Sequence, residues 1–181
     1  MLESERGPVL IAIARESIAR GREVPVVPGA WESGWLREIG ASFVTLKMDD
    51  ELRGCIGTID AHRPLGDDVA RNARAAAYRD PRFPPVDAAD LPRLQVEVSV
   101  LSPREALPVA SESDALSKLR PGIDGIALEF NGASATFLPQ VWESLPEPVD
   151  FLEHLRRKAG LPARFWHPDV RLSRYTVEKY L

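Results

Sequence analysis

The dipeptide Asn131-Gly132, set between two runs of strand-forming residues, restricts the fold of this chain more than any other feature. Both residues tolerate positive φ, so the pair suits a tight turn that brings Gly125–Phe130 and Ala133–Leu138 together as antiparallel neighbours. An earlier stretch has the same form: Phe43–Met48 and Leu52–Ile59 flank the polar turn Asp49-Asp50-Glu51. Leu94–Leu101 alternates cleanly, with Leu94, Val96, Val98 and Val100 on one face and Gln95, Glu97 and Ser99 on the other. Val170–Tyr180 reads as one last strand.

Helical spacing falls between these hairpins. Apolar stripes predict three long helices over Pro8–Arg20, Pro64–Tyr78 and Pro148–Ala159, and a short one over Ser113–Arg120. Val24–Ala30 reads as loop, and Trp31 and Trp35 as one short amphipathic turn ending near Gly40. Strand and helix do not alternate strictly. The pattern therefore predicts an α+β fold with a mainly antiparallel sheet, not a doubly wound parallel one.

The chain has 181 residues, 44% hydrophobic and 28% charged, which is the make-up of one globular domain. Its longest apolar run, Val9–Ala14, is too short to span a bilayer, and the acidic start lacks the positive segment of a secretory leader. A single cysteine, Cys55, excludes an internal disulfide and suits a reducing cytoplasm. Net charge is −4 and neither half is basic, which argues against nucleic acid or a membrane surface as partner.

The common phosphate-binding, dinucleotide-binding, serine-hydrolase and zinc-protease motifs do not occur. His62, His154 and His167 lie far apart and share no spacing with Cys55, so no metal site is expected. The stretch Leu52-Arg53-Gly54-Cys55-Ile56-Gly57-Thr58 stands out. Alternation along a strand puts Arg53 and Cys55 on one face and Leu52 and Ile56 on the other. A guanidinium beside a thiol favours the nucleophilic thiolate, and Gly54 and Gly57 suit close approach of a ligand or another backbone. A cysteine that only fills space, with glycines marking a bulge, is the competing reading. Glu97 either faces solvent or pairs with a cation such as Arg53. In Asp80–Val86 the prolines fix Arg82 and Phe83 for display, unless Phe83 plugs the core. Gln140 and Trp142 follow Pro139 in a turn and form either core or one wall of a groove.

Taken together, these stretches resemble the AMMECR domain family, whose prokaryotic members belong to AmmeMemoRadiSam systems. The matching segments are FVTLK at Phe43–Lys47, LRGCIGT at Leu52–Thr58, DPRFPPV at Asp80–Val86 and EVSVLS at Glu97–Ser102. PGIDGI at Pro121–Ile126, TFLPQVWE at Thr136–Glu143 and KAGLP at Lys158–Pro162 follow in the family's order. The resemblance implies one AMMECR domain over residues 1–181, built as two lobes with a cleft and with LRGCIGT as the functional segment. It also implies a Memo-like protein and a radical SAM protein as partners in a modification or redox system. It assigns no reaction and no cofactor. Within that frame Cys55, Arg53 and Glu97 are the candidate catalytic residues. Gly54, Gly57, Thr58, Arg82, Phe83, Gln140 and Trp142 are the candidate ligand-binding residues. A non-catalytic adaptor that docks a protein through the proline-rich loop and the Trp142 turn is the alternative.

Overall fold

A computed structural model describes residues 3–22, 31 and 33–181, with side chains from Glu5 onward; the Val24–Ala30 reading lies outside the described residues. In chain order the elements are α1 (Glu3–Ala19), β1 (Ile39–Met48), β2 (Glu51–Gly57), β3 (Arg63–Pro64), α2 (Leu65–Tyr78), β4 (Gln95–Leu101), β5 (Glu105–Leu107), α3 (Glu112–Lys118), β6 (Gly125–Phe130), β7 (Ala133–Phe137), α4 (Pro148–Lys158), β8 (Arg171–Tyr175) and β9 (Val177–Tyr180). Short 3-10 turns cover Gly34–Arg37, Leu91–Arg93 and Pro139–Glu143. The class is α+β with two antiparallel sheets, and α1, α2 and α4 are the three long helices. The chain divides into two compact units, residues 1–101 with 178–181, and residues 102–177.

In the first unit the strands run in the order β2-β1-β4-β9, with β3 paired to the start of β1. Leu10, Ile13, Ala14 and Ile18 of α1 and Val69, Ala70, Ala73 and Ala76 of α2 pack on Val44, Leu46, Val96 and Val98, all buried. Helical and strand periodicities thus meet in one apolar layer, and Phe43, Thr45, Lys47 and Glu97 are left on the face away from the helices. β1 starts four residues earlier than its apolar run suggests. Ile39 is 61% exposed and is held by backbone pairing with Pro64 of β3, a contact that apolar patterning does not encode. α1 likewise begins at Glu3, ahead of Pro8, because near a helix start the missing proline N–H costs only one bond. The Asp49-Asp50 turn has φ of 53° and 65° between paired Met48 and Glu51, so a two-residue loop closes the hairpin.

The second unit pairs its strands as β5-β8-β6-β7. Ile126, Leu128, Leu172, Phe151, Leu152 and Leu155 fill its core, and Asn131 and Gly132 take φ of 46° and 84° in the expected turn. The expected last strand is in fact two: β8 pairs with β5 and β6, whereas β9 joins β4 in the other sheet. The break falls at Thr176, whose N–H donates to Ser102 Oγ and whose carbonyl accepts from Ser102 N–H, both at 2.9 Å. Residues 171–180 contain neither glycine nor proline, so nothing in composition announces the change of sheet.

Candidate functional site

β2 is an edge strand, and its residues are set by a bulge. Thr45 pairs with Cys55 and Leu46 with Gly54, but Lys47 pairs with Leu52, so Arg53 is the extra residue. The bulge breaks the simple alternation: Leu52, expected inward, is 43% exposed, while Ile56 packs on the core. The two glycines answer to different neighbours. A Cβ on Gly54 would lie 2.2 Å from the Ala76 carbonyl oxygen of α2, so Gly54 lets a helix backbone touch the strand. A Cβ on Gly57 would meet the ring of its cross-strand partner Phe43, also at 2.2 Å.

Cross-strand register assembles the site. Cys55 on β2, Thr45 on β1 and Glu97 on β4 are directly opposite one another, and so form one row on the face away from the helices. Thr45 Oγ1 donates to Cys55 Sγ at 3.4 Å. Glu97 is 8% exposed; its Oε1 lies 3.0 Å from Lys179 Nζ and its Oε2 3.8 Å from Lys47 Nζ. The expected partner of Glu97, Arg53, goes elsewhere: its guanidinium donates to the carbonyls of Pro84 at 2.6 Å and Pro85 at 3.1 Å. Glu97 is therefore an anchor for two lysines and does not orient Arg53.

The proline-rich loop binds the outer edge of the same strand. Cys55 N–H donates to Asp80 Oδ2 at 2.9 Å, and the Cys55 carbonyl accepts from Arg82 Nη2 at 3.1 Å. Asp80, buried, also accepts from Arg82 N–H, Nε and Nη2 at 3.1, 2.9 and 2.7 Å. One acid and one base thereby stand in for a neighbouring strand at a single residue, Cys55. The Arg82 hydrogen bonds, helped by the Cys55 N–H, outweigh burial and hold the Asp80 carboxyl well below the usual carboxylate range. Asp80 in turn raises the Arg82 guanidinium, with a smaller contribution from charge and hydrogen-bond contact with the Cys55 side chain. The cation beside the thiol is Arg82, not the sequence neighbour Arg53. The Arg82 guanidinium carbon also lies 5.3 Å from the centroid of Phe83, which is half-buried.

Thr58 belongs to a different group. Its hydroxyl donates to Asp68 Oδ1 at 2.8 Å, and the fully buried Asp68 also accepts from Ser42 N–H, Ser42 Oγ, Asn72 Nδ2 and Arg63 Nη1 at 2.8, 2.8, 2.9 and 3.2 Å. Five donors saturate this carboxylate, which fastens α2 to β1. Trp142 is core, correcting its reading as a groove wall. It is 3% exposed, stacks on Phe151 at 3.8 Å and donates to the Asp124 carbonyl at 2.7 Å. Gln140 is exposed on the 3-10 turn of the second unit. Asp80, Thr45, Lys47, Lys179 and Asp68 were not legible as site residues, because the contacts that bring each to β2, β1 or Glu97 cross between elements. Among the described residues no three His, Cys, Asp or Glu side chains converge as a metal site needs, and no helix is long and apolar enough to cross a membrane.

Residues 11–180, nearly the whole chain, match the AMMECR1 family model. The protein belongs to this family. It is 38% identical to a protein of Methanothermobacter thermautotrophicus, over 98% of this chain and 94% of that one. A Thermotoga maritima protein is 37% identical, over 94% of this chain and 93% of its own. The crystal structure of an uncharacterized protein from Pyrococcus horikoshii superposes with a TM-score of 0.81 at 33% identity, covering 97% of this chain and 90% of the other.

Proposed function

We propose that this AMMECR1-family protein is a component of an AmmeMemoRadiSam-type modification or redox system, working through the Cys55 thiol. Its partners on this reading are a Memo-like protein and a radical SAM protein. The observation that carries the proposal is the hold on Cys55. Its N–H is fixed by Asp80 and its carbonyl by Arg82, while its half-buried sulfur accepts from Thr45. The backbone contacts fix the residue in place at the sheet edge, and the hydroxyl contact at 3.4 Å is the one made to the sulfur itself. Because the chain has one cysteine, iodoacetamide labelling followed by intact mass reports this site alone. The folded protein should take up one label near neutral pH. A folded chain that stays unlabelled below pH 9, while the urea-unfolded chain labels normally, would refute the thiol role. Co-purification with the Memo-like and radical SAM proteins tests the system-level part.

The adaptor reading retains one supporting observation, the half-exposed side chain of Arg82 on a rigid loop. It loses the Trp142 surface, since that ring is stacked in the second core. If Arg82→Ala abolishes partner binding while Cys55→Ser leaves partner binding and system activity intact, docking is the function of this edge.

A further inference from the structure

We propose that the face bearing Cys55 carries a seat for an anionic group, a carboxylate or phosphate, formed by Lys47 and Lys179 beside the thiol. The inference rests on the reading of Cys55 as the reacting group and names the class of molecule brought to it. Three observations support it.

First, the two ammonium groups are built in. Glu97, 8% exposed in the middle of β4, holds the Lys179 ammonium at 3.0 Å on one carboxylate oxygen and attracts the Lys47 ammonium as an ion pair at 3.8 Å on the other. Each ammonium has three N–H donors, more than Glu97 uses, so donors on both are left for a ligand. Their side chains are 41% and 46% exposed, which leaves them accessible. Second, the charges around Cys55 do not cancel. Arg82, Lys47 and Lys179 stand with Asp80 and Glu97, leaving a local excess of one positive charge in a chain whose net charge is −4. Of the acids at the hairpin tip beyond Lys47, Asp49 is engaged by Arg93, while Asp50 and Glu51 lie past the end of the lysine pair. Third, the seat and the thiol share one row. Glu97 is two strands from Cys55, with only Thr45 between, and adjacent strands lie about 5 Å apart. A molecule that spans about 10 Å, two strand spacings, can rest its anionic end on the lysines with a reactive carbon at Sγ.

Two alkylating reagents that differ by one charge read this directly. Iodoacetate and iodoacetamide each form an S–C bond at Cys55 and expel iodide, but only the first carries a carboxylate. The ratio of their rates is measured on the full chain, folded and in urea. Iodoacetate is too short to occupy the lysines while it reacts at Sγ, so it reads their positive field at the thiol, which should raise the iodoacetate-to-iodoacetamide ratio on folding by up to about tenfold. Lys47→Gln and Lys179→Gln, both at accessible positions, should each lower the ratio toward its unfolded value. Inorganic phosphate and acetate at matched ionic strength then compete, and the stronger protector identifies the phosphate or the carboxylate class. A ratio unchanged on folding overturns the seat even if both reagents label well, as does protection by neither anion. Failure of both reagents to label the folded chain overturns the thiol reading itself, so the two failures are told apart.

Discussion

A methyl group on Gly54 would lie 2.2 Å from the Ala76 carbonyl oxygen, against helix backbone that has no rotamer to change. Gly54→Ala therefore has to push α2 off the strand, at a cost of about 2–3 kcal/mol in urea denaturation. Gly57→Ala meets the Phe43 ring, its Cγ included, at the same distance; that side chain can swing about χ1 where helix backbone cannot, so its cost should be the smaller of the two. Equal costs would show that the helix yields as easily as the side chain. Asp80 gives a pH-dependent counterpart. Its folded-state pKa is depressed, so the group stabilises the fold above its unfolded value near 4, and that stability drains away as pH falls further. Asp80→Asn should lower the midpoint at pH 7 and flatten the decline in thermal stability below about pH 4. An acid limb identical to wild type would mean that other carboxylates carry it.

At the scale of elements, the hairpin β1–β2 closes through two residues in the left-handed region, Asp49 and Asp50. Glycine relieves the strain at such a position but loses more entropy on folding. Asp49 is engaged by Arg93, so Asp50 is the residue to change. Asp50→Gly should stabilise by about 0.5 kcal/mol, seen as a higher urea midpoint at constant slope. The same hairpin shows what sequence discloses. Alternation located both strands and their turn, and it placed Cys55 on the second of them. It could not reveal the bulge at Arg53, which turns Leu52 outward, because an extra residue leaves no mark on hydrophobicity. Nor could it show that Asp80 and Arg82 cap Cys55, since that contact joins residues more than twenty positions apart. Arg53 beside Cys55 was the visible neighbour, and Arg82 is the effective one.

Across the whole molecule, charge sets what kind of ligand the local site can select. The chain is acidic overall at −4, so long polyanions meet net repulsion once they extend beyond the Cys55 face. A small anion spans only the lysine pair and feels the local excess instead, because fields beyond about 8–10 Å are screened at physiological salt. The fold enforces this contrast. Three cations are brought together from β1, β9 and the loop after α2, and none of the stretches that supply them is itself basic. The expected outcome is that fluorescently labelled duplex DNA shows no binding tighter than about 10⁻⁴ M at physiological salt, the weak end of non-specific association. Binding that is tighter and falls steeply with added salt would require an extended basic track. That result would move the protein toward nucleic-acid partners, whatever the chemistry of Cys55.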